Sequence, residues 1–396
     1  MSSLFSLFEG KASPLLSSSL DSVIDSALND KRLIGTVVAV AIDGEVVYHR
    51  AAGYADRETK REMQPDTLFR LASVSKPLVT AAVMTLINQQ KIQLDDVINS
   101  WLPELDPHLE DGTRVSITLR QLLSHQAGLS YGFYEKPGHT PYADAGVSDG
   151  LDASTITLEE NIKRLGTVPL LYSPGEDWHY SLAIDVAGLL IERVYGKPLP
   201  EAFKELVADP LDMNNTGFST ETEADIATPY VNDVSSPHVL KEGERIADEN
   251  NGEVGVTFSP NRIFNKQAFP SGGAGMYSTA LDVLHLLEAL RLNNDDLLPS
   301  ELIEEMAKDQ TGGKTLAGMP GVGFGLGFAI LRTPDLANSP LSVGSWWWDG
   351  VYGHSWFVDI EREVSVVALT NTLYEGMSGQ FAHDLKQVVG RVVEKK

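Results

Sequence analysis

FRLASVSKPLVTAAVMTLINQQ, residues 69–90, predicts a buried helix with two reactive side chains at its start. The run from Leu78 to Ile87 is apolar on almost every side, which is typical of a core helix. Pro77 is tolerated only in a first turn, so the helix should begin near residues 73–76. Ser73 and Lys76 lie three positions apart and therefore share one face of this helix start.

This serine–lysine pair has the chemistry of an activated nucleophile. Burial disfavours the cationic form of a lysine, which should lower the pKa of Lys76 from about 10.4 and make it a base. A serine hydroxyl beside a base can attack a carbonyl carbon. The alternative is structural, with Ser73 capping the helix and Lys76 reaching solvent, because S-x-x-K is common by chance.

Two further stretches give the pair a context. Residues 170–194, LLYSPGEDWHYSLAIDVAGLLIERV, place Tyr180 just before an apolar helix, where a phenolate near Lys76 could accept a proton. Residues 345–359, SWWWDGVYGHSWFVD, combine tryptophans that could line an apolar pocket with glycines that let a backbone amide approach a ligand. Each stretch also has a purely structural alternative. Tyr180 could be an ordinary packed aromatic residue, and residues 345–359 could be an edge strand with packed aromatics.

The strand patterns lie near both ends of the chain. Residues 35–56, GTVVAVAIDGEVVYHRAAGYAD, read as two strands joined by an Asp43–Gly44 turn, and residues 350–372 repeat the pattern of strand, charged turn and strand. Helical patterns at 17–32 and 379–396 flank these strands. We therefore predict an α/β (α+β) fold, with an antiparallel sheet from residues 1–90 and 275–396. Residues 91–274 would form an inserted, mainly helical domain, with the active site between the two.

Composition and charge exclude several classes of function. Lys and Arg number 31 against 55 Asp and Glu, a net charge of −24 that disfavours nucleic acid and acidic membrane surfaces. The chain has no cysteine and no H-E-x-x-H, so we expect no disulfide and no metal site. No apolar run reaches the ~20 residues that span a bilayer. The start, MSSLFSLFEGKAS, does not have the form of a secretion signal, which predicts a cytoplasmic protein.

A second serine competes for the role of nucleophile. Gly146–Val147–Ser148–Asp149–Gly150 matches the G-x-S-x-G pentapeptide, which exposes a serine when a strand enters it and a helix leaves it. Both flanks read as loops, so we predict that Ser148 is a decoy and not catalytic. Chain order alone does not exclude a triad with His354 or His383, whereas a structural role is expected for His125 and His354.

Several motifs in order resemble the serine hydrolases of the class C β-lactamase and penicillin-binding-protein superfamily. They are Ser73–Lys76, LLSHQAGL (122–129), YSPGEDWHYS (172–181), SGGAGMYST (271–279) and Trp348–Gly350. In detail the chain is similar to the esterase branch, the family VIII carboxylesterases often named 1,4-butanediol diacrylate esterases. The resemblance covers nearly the whole chain.

The resemblance implies roles for individual residues. Ser73 would be the nucleophile, Lys76 its activator and Tyr180 the partner general base, while the backbone amides of Ser73 and Val351 would form the oxyanion hole. We further predict a set of substrate-binding residues: Trp348, Gly350, Gln126, Tyr134 and Leu182.

The chain departs from the β-lactamase pattern at two positions and from the esterase pattern at a third. Leu182 stands where Tyr-x-Asn would place the asparagine, and Trp348 stands where Lys-Thr-Gly would place the lysine. Since groups that bind a β-lactam are missing, at most weak β-lactam hydrolysis is expected. Asp349 also replaces a glycine of the Trp-Gly-Gly that is common in the esterase branch.

The function predicted from the sequence is therefore a serine carboxylesterase that acts on small neutral esters, with a preference for short acyl groups. It would need no cofactor or metal and would bind no nucleic acid or membrane. A homo-oligomer is possible on the basis of the sequence. The alternatives are a D-amino-acid amidase or peptidase, an acyltransferase with the same machinery, or a non-catalytic penicillin-recognising module.

Overall fold

Strands from both ends of the chain build one nine-stranded sheet. The computed structural model describes residues 8–233, 235–248, 252–293 and 297–395. The expectation about a secretion signal concerns the start of the chain, of which residues 1–7 lie outside the described residues. The strands are β1 Phe8–Glu9, β2 Gly35–Ile42, β3 Glu45–Asp56, β4 Arg61–Glu62, β5 Phe69–Arg70, β6 Tyr230–Val231, β7 His238–Val239, β8 Arg245–Asp248, β9 Glu253–Thr257, β10 Tyr277–Ser278, β11 Val322–Phe324, β12 Ala329–Leu331, β13 Trp346–Gly350, β14 His354–Asp359 and β15 Val364–Thr370.

The order of the main sheet is β1-β3-β2-β15-β14-β13-β12-β11, with β4 paired to β3. The predicted antiparallel sheet from both termini is confirmed, with one difference: β1 pairs with β3 in parallel. The predicted hairpin is also present, because Asp43 and Gly44 adopt φ of 56° and 85° between β2 and β3. A two-residue turn in which both residues have left-handed backbone angles matches the twist of the two strands that it joins.

Helices cover both faces of this sheet. They are α1 Pro14–Asn29, α2 Ser75–Asn88, α3 Leu119–Leu123, α4 Pro141–Asp144, α5 Leu158–Leu165, α6 Ala183–Tyr195, α7 Leu199–Phe203, α8 Ala280–Leu292, α9 Ser300–Ala307, α10 Pro334–Ala337, α11 Leu373–Ser378 and α12 Gln380–Val392. The terminal helices α1 and α12 pack together on one face, and α8 packs on β2 and β15 from the other. Strands covered on both faces bury every position, as β14 and β15 do.

Helix α2 lies in the largest core, packed against α6. All of its positions from Ser75 to Leu86 are buried, as the apolar run predicts. The predicted middle segment contains α3 to α7 and, in addition, the short pairs β6–β7 and β8–β9, which the sequence analysis did not anticipate. The division into domains at residues 91 and 275 stays a prediction. Of the helices that the structure describes, none has the length and apolar character needed to cross a membrane.

Candidate active site

Ser73 lies in a tight turn that leads into α2. Residues 72–74 form a 3₁₀ turn, and α2 begins at Ser75, so the helix starts where Pro77 predicts. Ala72 adopts a left-handed φ of 47°, a conformation that costs energy for a residue with a Cβ. Backbone strain of this kind is often found at functional sites, and here it lies next to the proposed nucleophile.

The Lys76 side chain is completely buried and points back toward Ser73. Its Nζ lies 3.2 Å from Ser73 Oγ and donates hydrogen bonds of 2.8 Å to Tyr131 OH and to the carbonyl oxygen of Gly273. The alternative in which Lys76 reaches solvent is therefore wrong. Three fixed partners hold the amine in one position beside the hydroxyl.

Burial lowers the pKa of Lys76 to about 7, and the nearby carboxyl of Asp185 opposes this shift. Asp185 is itself fully buried at the start of α6, and burial raises its pKa from the ordinary range. An amine with a pKa near neutrality spends much of its time uncharged at physiological pH. Lys76 can therefore accept a proton, as a general base must.

Tyr180 contacts the same hydroxyl from the other side. Its phenol donates a 2.6 Å hydrogen bond to Ser73 Oγ and accepts one of 3.2 Å from Trp348 Nε1. Burial raises the pKa of Tyr180 above its ordinary value. This differs from the phenolate that the sequence suggested: in the resting site Tyr180 is a neutral phenol that is ready to give a proton.

Strand β13 approaches the turn before Ser73 so closely that only glycine fits at residue 350. A Cβ at Gly350 would lie 2.5 Å from Leu71 O and 3.1 Å from Val74 Cγ2. The next residue, Val351, lines the same cavity as Ser73. The first amides of a helical turn lack partners within that turn, and Ser73 belongs to such a turn.

A cavity of about 1480 Å³ opens over Ser73. Aromatic side chains contribute to its lining, with these residues among them: Tyr131, Phe133, Tyr134, Trp178, Tyr180, Trp347 and Trp348. Trp346 and Trp356, which the sequence also suggested as lining, are buried in the core at 4% and 0% exposure instead. The described residues contain no group of three His, Cys, Asp or Glu that could hold a metal ion.

Comparisons with known proteins agree with this geometry. Residues 20–391 match the Beta-lactamase family. The chain belongs to that family. It is 44% identical to "Esterase EstB" of Burkholderia gladioli over 94% of this chain and 95% of that one. The solved structure of "EstCE1, a hydrolase with promiscuous acyltransferase activity" is 42% identical, with a TM-score of 0.91 over 95% of this chain and 98% of that one.

A more distant relative is "Lovastatin esterase" of Penicillium rubens, which is 26% identical over 95% of this chain and 98% of that protein. The resemblance to the β-lactamase superfamily is thus confirmed. So is the prediction of an esterase with this fold, because the similarity to an esterase and to a hydrolase extends over nearly the whole of each chain.

Within this β-lactamase-family site, only part of the predicted substrate-binding set lines the cavity. Trp348 and Tyr134 do so. Three predictions are corrected by the structure. Gln126 is turned inward, since its Nε2 donates to Ser124 Oγ and Gln310 O at 2.9 and 3.0 Å. Leu182 is completely buried before α6, and Gly350 contributes close packing without lining the cavity.

The G-x-S-x-G serine has none of the context of a nucleophile. No strand enters residues 146–150, and Ser148 is 2% exposed outside the cavity. Its Oγ donates to Asp152 Oδ1 at 2.6 Å and accepts from Gly150 N at 3.1 Å. His354, one nominal triad partner, bonds Arg70 O and Thr370 N through its two ring nitrogens.

His125 is buried, and its Nδ1 lies 3.1 Å from Ser181 Oγ, consistent with the expected structural role. The sequence carries no signal for Tyr131 or the Gly273 carbonyl as partners of Lys76. Tyr131 is the first residue of YGFY (131–134), 55 residues from Lys76, and no fixed spacing links the two. Gly273 lies in the quoted SGGAGMYST motif, but a backbone contact leaves no side-chain signal there.

Proposed function

We propose that the protein hydrolyses small neutral carboxylic esters through an acyl-enzyme on Ser73. The observation that carries the proposal is the environment of one hydroxyl: Ser73 Oγ lies between the amine of Lys76, at 3.2 Å, and the phenol of Tyr180, at 2.6 Å. One neighbour is suited to accept a proton and the other to donate one. Nucleophilic catalysis by serine needs both.

The hydrogen-bond arrangement fits an uncharged Lys76. A neutral amine donates two protons, here to Tyr131 OH and Gly273 O, and keeps one lone pair for the Ser73 hydroxyl. As Ser73 Oγ bonds to the ester carbon, its proton passes to Lys76 Nζ. The carbonyl oxygen becomes an oxyanion, for which the amides of Ser73 and Val351 are the proposed donors.

Collapse of this intermediate breaks the bond between the carbonyl carbon and the alcohol oxygen. The departing oxygen takes a proton from Tyr180, and the proton held by Lys76 restores the phenol. Water then attacks the acyl-enzyme, its proton passes to the same pair, and Ser73 regains its hydrogen. The cycle is closed without a cofactor or metal.

The lining of the cavity supports a preference for neutral acyl groups. Aromatic side chains contribute to that lining, and Trp348 occupies the position of the cation expected in a β-lactamase. We therefore propose short neutral acyl esters as substrates and at most weak turnover of β-lactams. A cytoplasmic location stays a prediction, and the oligomeric state stays open.

Transfer of the acyl group to an alcohol is a second proposal. It is supported by EstCE1, a hydrolase with promiscuous acyltransferase activity that is 42% identical to this chain. Adding a primary alcohol during hydrolysis of a p-nitrophenyl ester tests it. Formation of the new ester is expected, and release of free acid alone would oppose the proposal.

Paired serine variants test the proposed nucleophile. Ser73→Ala should abolish hydrolysis of p-nitrophenyl butanoate, whereas Ser148→Ala should retain it with reduced stability, because a buried hydrogen-bonded hydroxyl is lost. Loss of activity in the Ser148 variant, with retention in the Ser73 variant, would reject the mechanism.

A further inference from the structure

One wall of the cavity combines three aromatic rings in a short segment. Tyr131 and Phe133 are stacked with ring centroids 4.5 Å apart, and Phe133 and Tyr134 follow at 4.7 Å. All three line the cavity that contains Ser73. We call residues 131–134 the aromatic segment. Aromatic faces attract cations through the ring quadrupole, especially where water is excluded.

The same segment also holds a carboxylate in the cavity. The backbone amide of Gly132 donates a 2.8 Å hydrogen bond to Asp149 Oδ1, and Asp149 lines the cavity with part of its surface exposed. Within the described residues, the other oxygen, Oδ2, has no hydrogen-bond partner; it lies on the Gly132 side, 3.3 Å from the position of a Cβ there. One oxygen is anchored, and the other is left for a ligand.

The decoy pentapeptide keeps Asp149 in place. Ser148 on one side is fixed through Asp152 Oδ1, and the Ser148 backbone bonds the Asn161 side chain in both directions, at 2.8 and 3.0 Å. Gly150 on the other side donates to Ser148 Oγ and has a left-handed φ of 83°. A carboxylate held by a buried network loses little further freedom when it binds a ligand.

From these contacts we infer that Asp149 and the aromatic segment form a subsite for a cationic group, such as an ammonium, carried by the ester substrate. The inference rests on the proposed esterase function and adds esters with a positive group to the neutral esters proposed above. Neutral esters would be accepted through the apolar lining alone. Esters with a positive group at the right distance from the carbonyl would gain an ion pair and a cation–π contact.

Other charges around the subsite are mixed but favour a cation. Glu253 lines the same part of the cavity, and burial together with the charges of Glu253 and Asp149 raises the pKa of Tyr134. Two lysines oppose a cation: Lys136, which is exposed at the rim, and Lys76 when it is protonated, since its Nζ lies 5.2 Å from the centre of the Tyr131 ring. Burial, and to a smaller extent Asp152 and Glu135, raises the pKa of Asp149 to about 7. Assays should therefore be run at about pH 8, where the carboxylate is ionised.

Isosteric ester pairs test the subsite, with the ammonium placed on either half of the substrate. For the acyl half, p-nitrophenyl 3-aminopropanoate is compared with butanoate, and 6-aminohexanoate with heptanoate, so that ammonium replaces methyl at two lengths. For the alcohol half, acetylcholine is compared with 3,3-dimethylbutyl acetate. The measured quantity is the ratio of kcat/KM for the cationic to the neutral member of each pair.

Asp149→Asn, which keeps the shape of the side chain, should lower this ratio by about 10-fold or more in at least one pair, equivalent to about 1.4 kcal/mol. The pair that responds shows whether the acyl or the alcohol half carries the charge. Asp144→Asn is the matched control, because Asp144 is exposed at the end of α4, five residues before Asp149, and does not line the cavity. Salt at about 0.5 M screens the net charge of the whole protein.

An unchanged ratio in all pairs would overturn the inference. If Asp149→Asn does not fold, the unmutated protein still decides: every cationic member reacting more slowly than its neutral isostere would also overturn it. Failure of the underlying esterase proposal is recognised separately. In that case the neutral esters would not be hydrolysed, or Ser73→Ala would hydrolyse them as well as the unmutated protein.

Discussion

Replacing Asp185 by asparagine should shift the pH dependence of catalysis toward acid. A Cβ at Gly273 would lie 2.6 Å from Asp185 Oδ2 and 3.4 Å from Lys76 Nζ. The two groups are thus no more than about 6 Å apart, and at an effective dielectric constant of about 20 their attraction is about 2–3 kcal/mol. This corresponds to about two pK units.

The sign follows from the protonation state that catalysis needs. Lys76 acts as a base in its uncharged form, so kcat/KM should rise with pH through about 7, the pKa of Lys76. The Asp185 carboxylate stabilises the charged amine and opposes the effect of burial. In Asp185→Asn the pKa of Lys76 falls further, and the acid limb of the kcat/KM profile moves down by up to about two pH units.

The assay is hydrolysis of p-nitrophenyl butanoate from pH 4.5 to 9, with p-nitrophenol measured at a wavelength that does not depend on its ionisation. Asp144→Asn controls for the loss of one negative charge far from Lys76, and circular dichroism checks that each variant is folded. An acid limb that stays in place, or that moves to higher pH, would refute the role of Lys76 as the base.

Two other substitutions test the geometry around Ser73. Tyr180→Phe removes the proton donor to Ser73 Oγ. The variant should fold normally but should have a kcat for p-nitrophenyl butanoate that is lower by about 10²- to 10⁴-fold. Near-normal turnover by the folded variant would contradict the proposed role of Tyr180 as proton donor. Gly350→Ala places a Cβ 2.5 Å from Leu71 O and should lower both the activity and, by about 1–3 kcal/mol, the free energy of unfolding. A melting temperature and activity equal to those of the unmutated protein would show that β13 does not set the position of the Ser73 turn.

Local rules in the sequence predicted those parts of the fold that depend on neighbouring residues. Pro77 marks the start of α2, and Asp43–Gly44 marks the hairpin, because both act through their own backbone angles. The pairing of Ser73 with Lys76 follows from helix spacing in the same way. The parallel pairing of β1 with β3 depends on contacts distant in sequence and has no local signal.

The difference between local signals and contacts distant in sequence also explains which site residues the sequence does not predict correctly. Three consecutive tryptophans, Trp346 to Trp348, suggest an aromatic lining, but the strand alternation places Trp346 and Trp348 on one face of β13 and Trp347 on the other. Trp346 is buried in the core, whereas Trp348, two residues further along the same face, contacts Tyr180. The register of β13 against β14 determines which face of β13 points to the core, and a sequence pattern does not determine that register. Tyr131, in the loop after α3, is brought to Lys76 only by the folding of the whole chain.

Asp149 is a further example. The sequence presents it as part of a motif whose serine is a decoy, and attention to that serine hides the carboxylate beside it. Only the folded chain shows that Ser148 faces a buried network while its neighbour lines the cavity.

The most direct test of the central claim is identification of the residue that becomes covalently labelled. The intact protein is exposed briefly to a p-nitrophenyl phosphonate, its mass is measured, and peptides are mapped. The account predicts a single added phosphonyl group on the peptide that contains Ser73, and no label in Ser73→Ala. A label on the peptide that contains Ser148, or no label on a folded protein that hydrolyses esters, would contradict it.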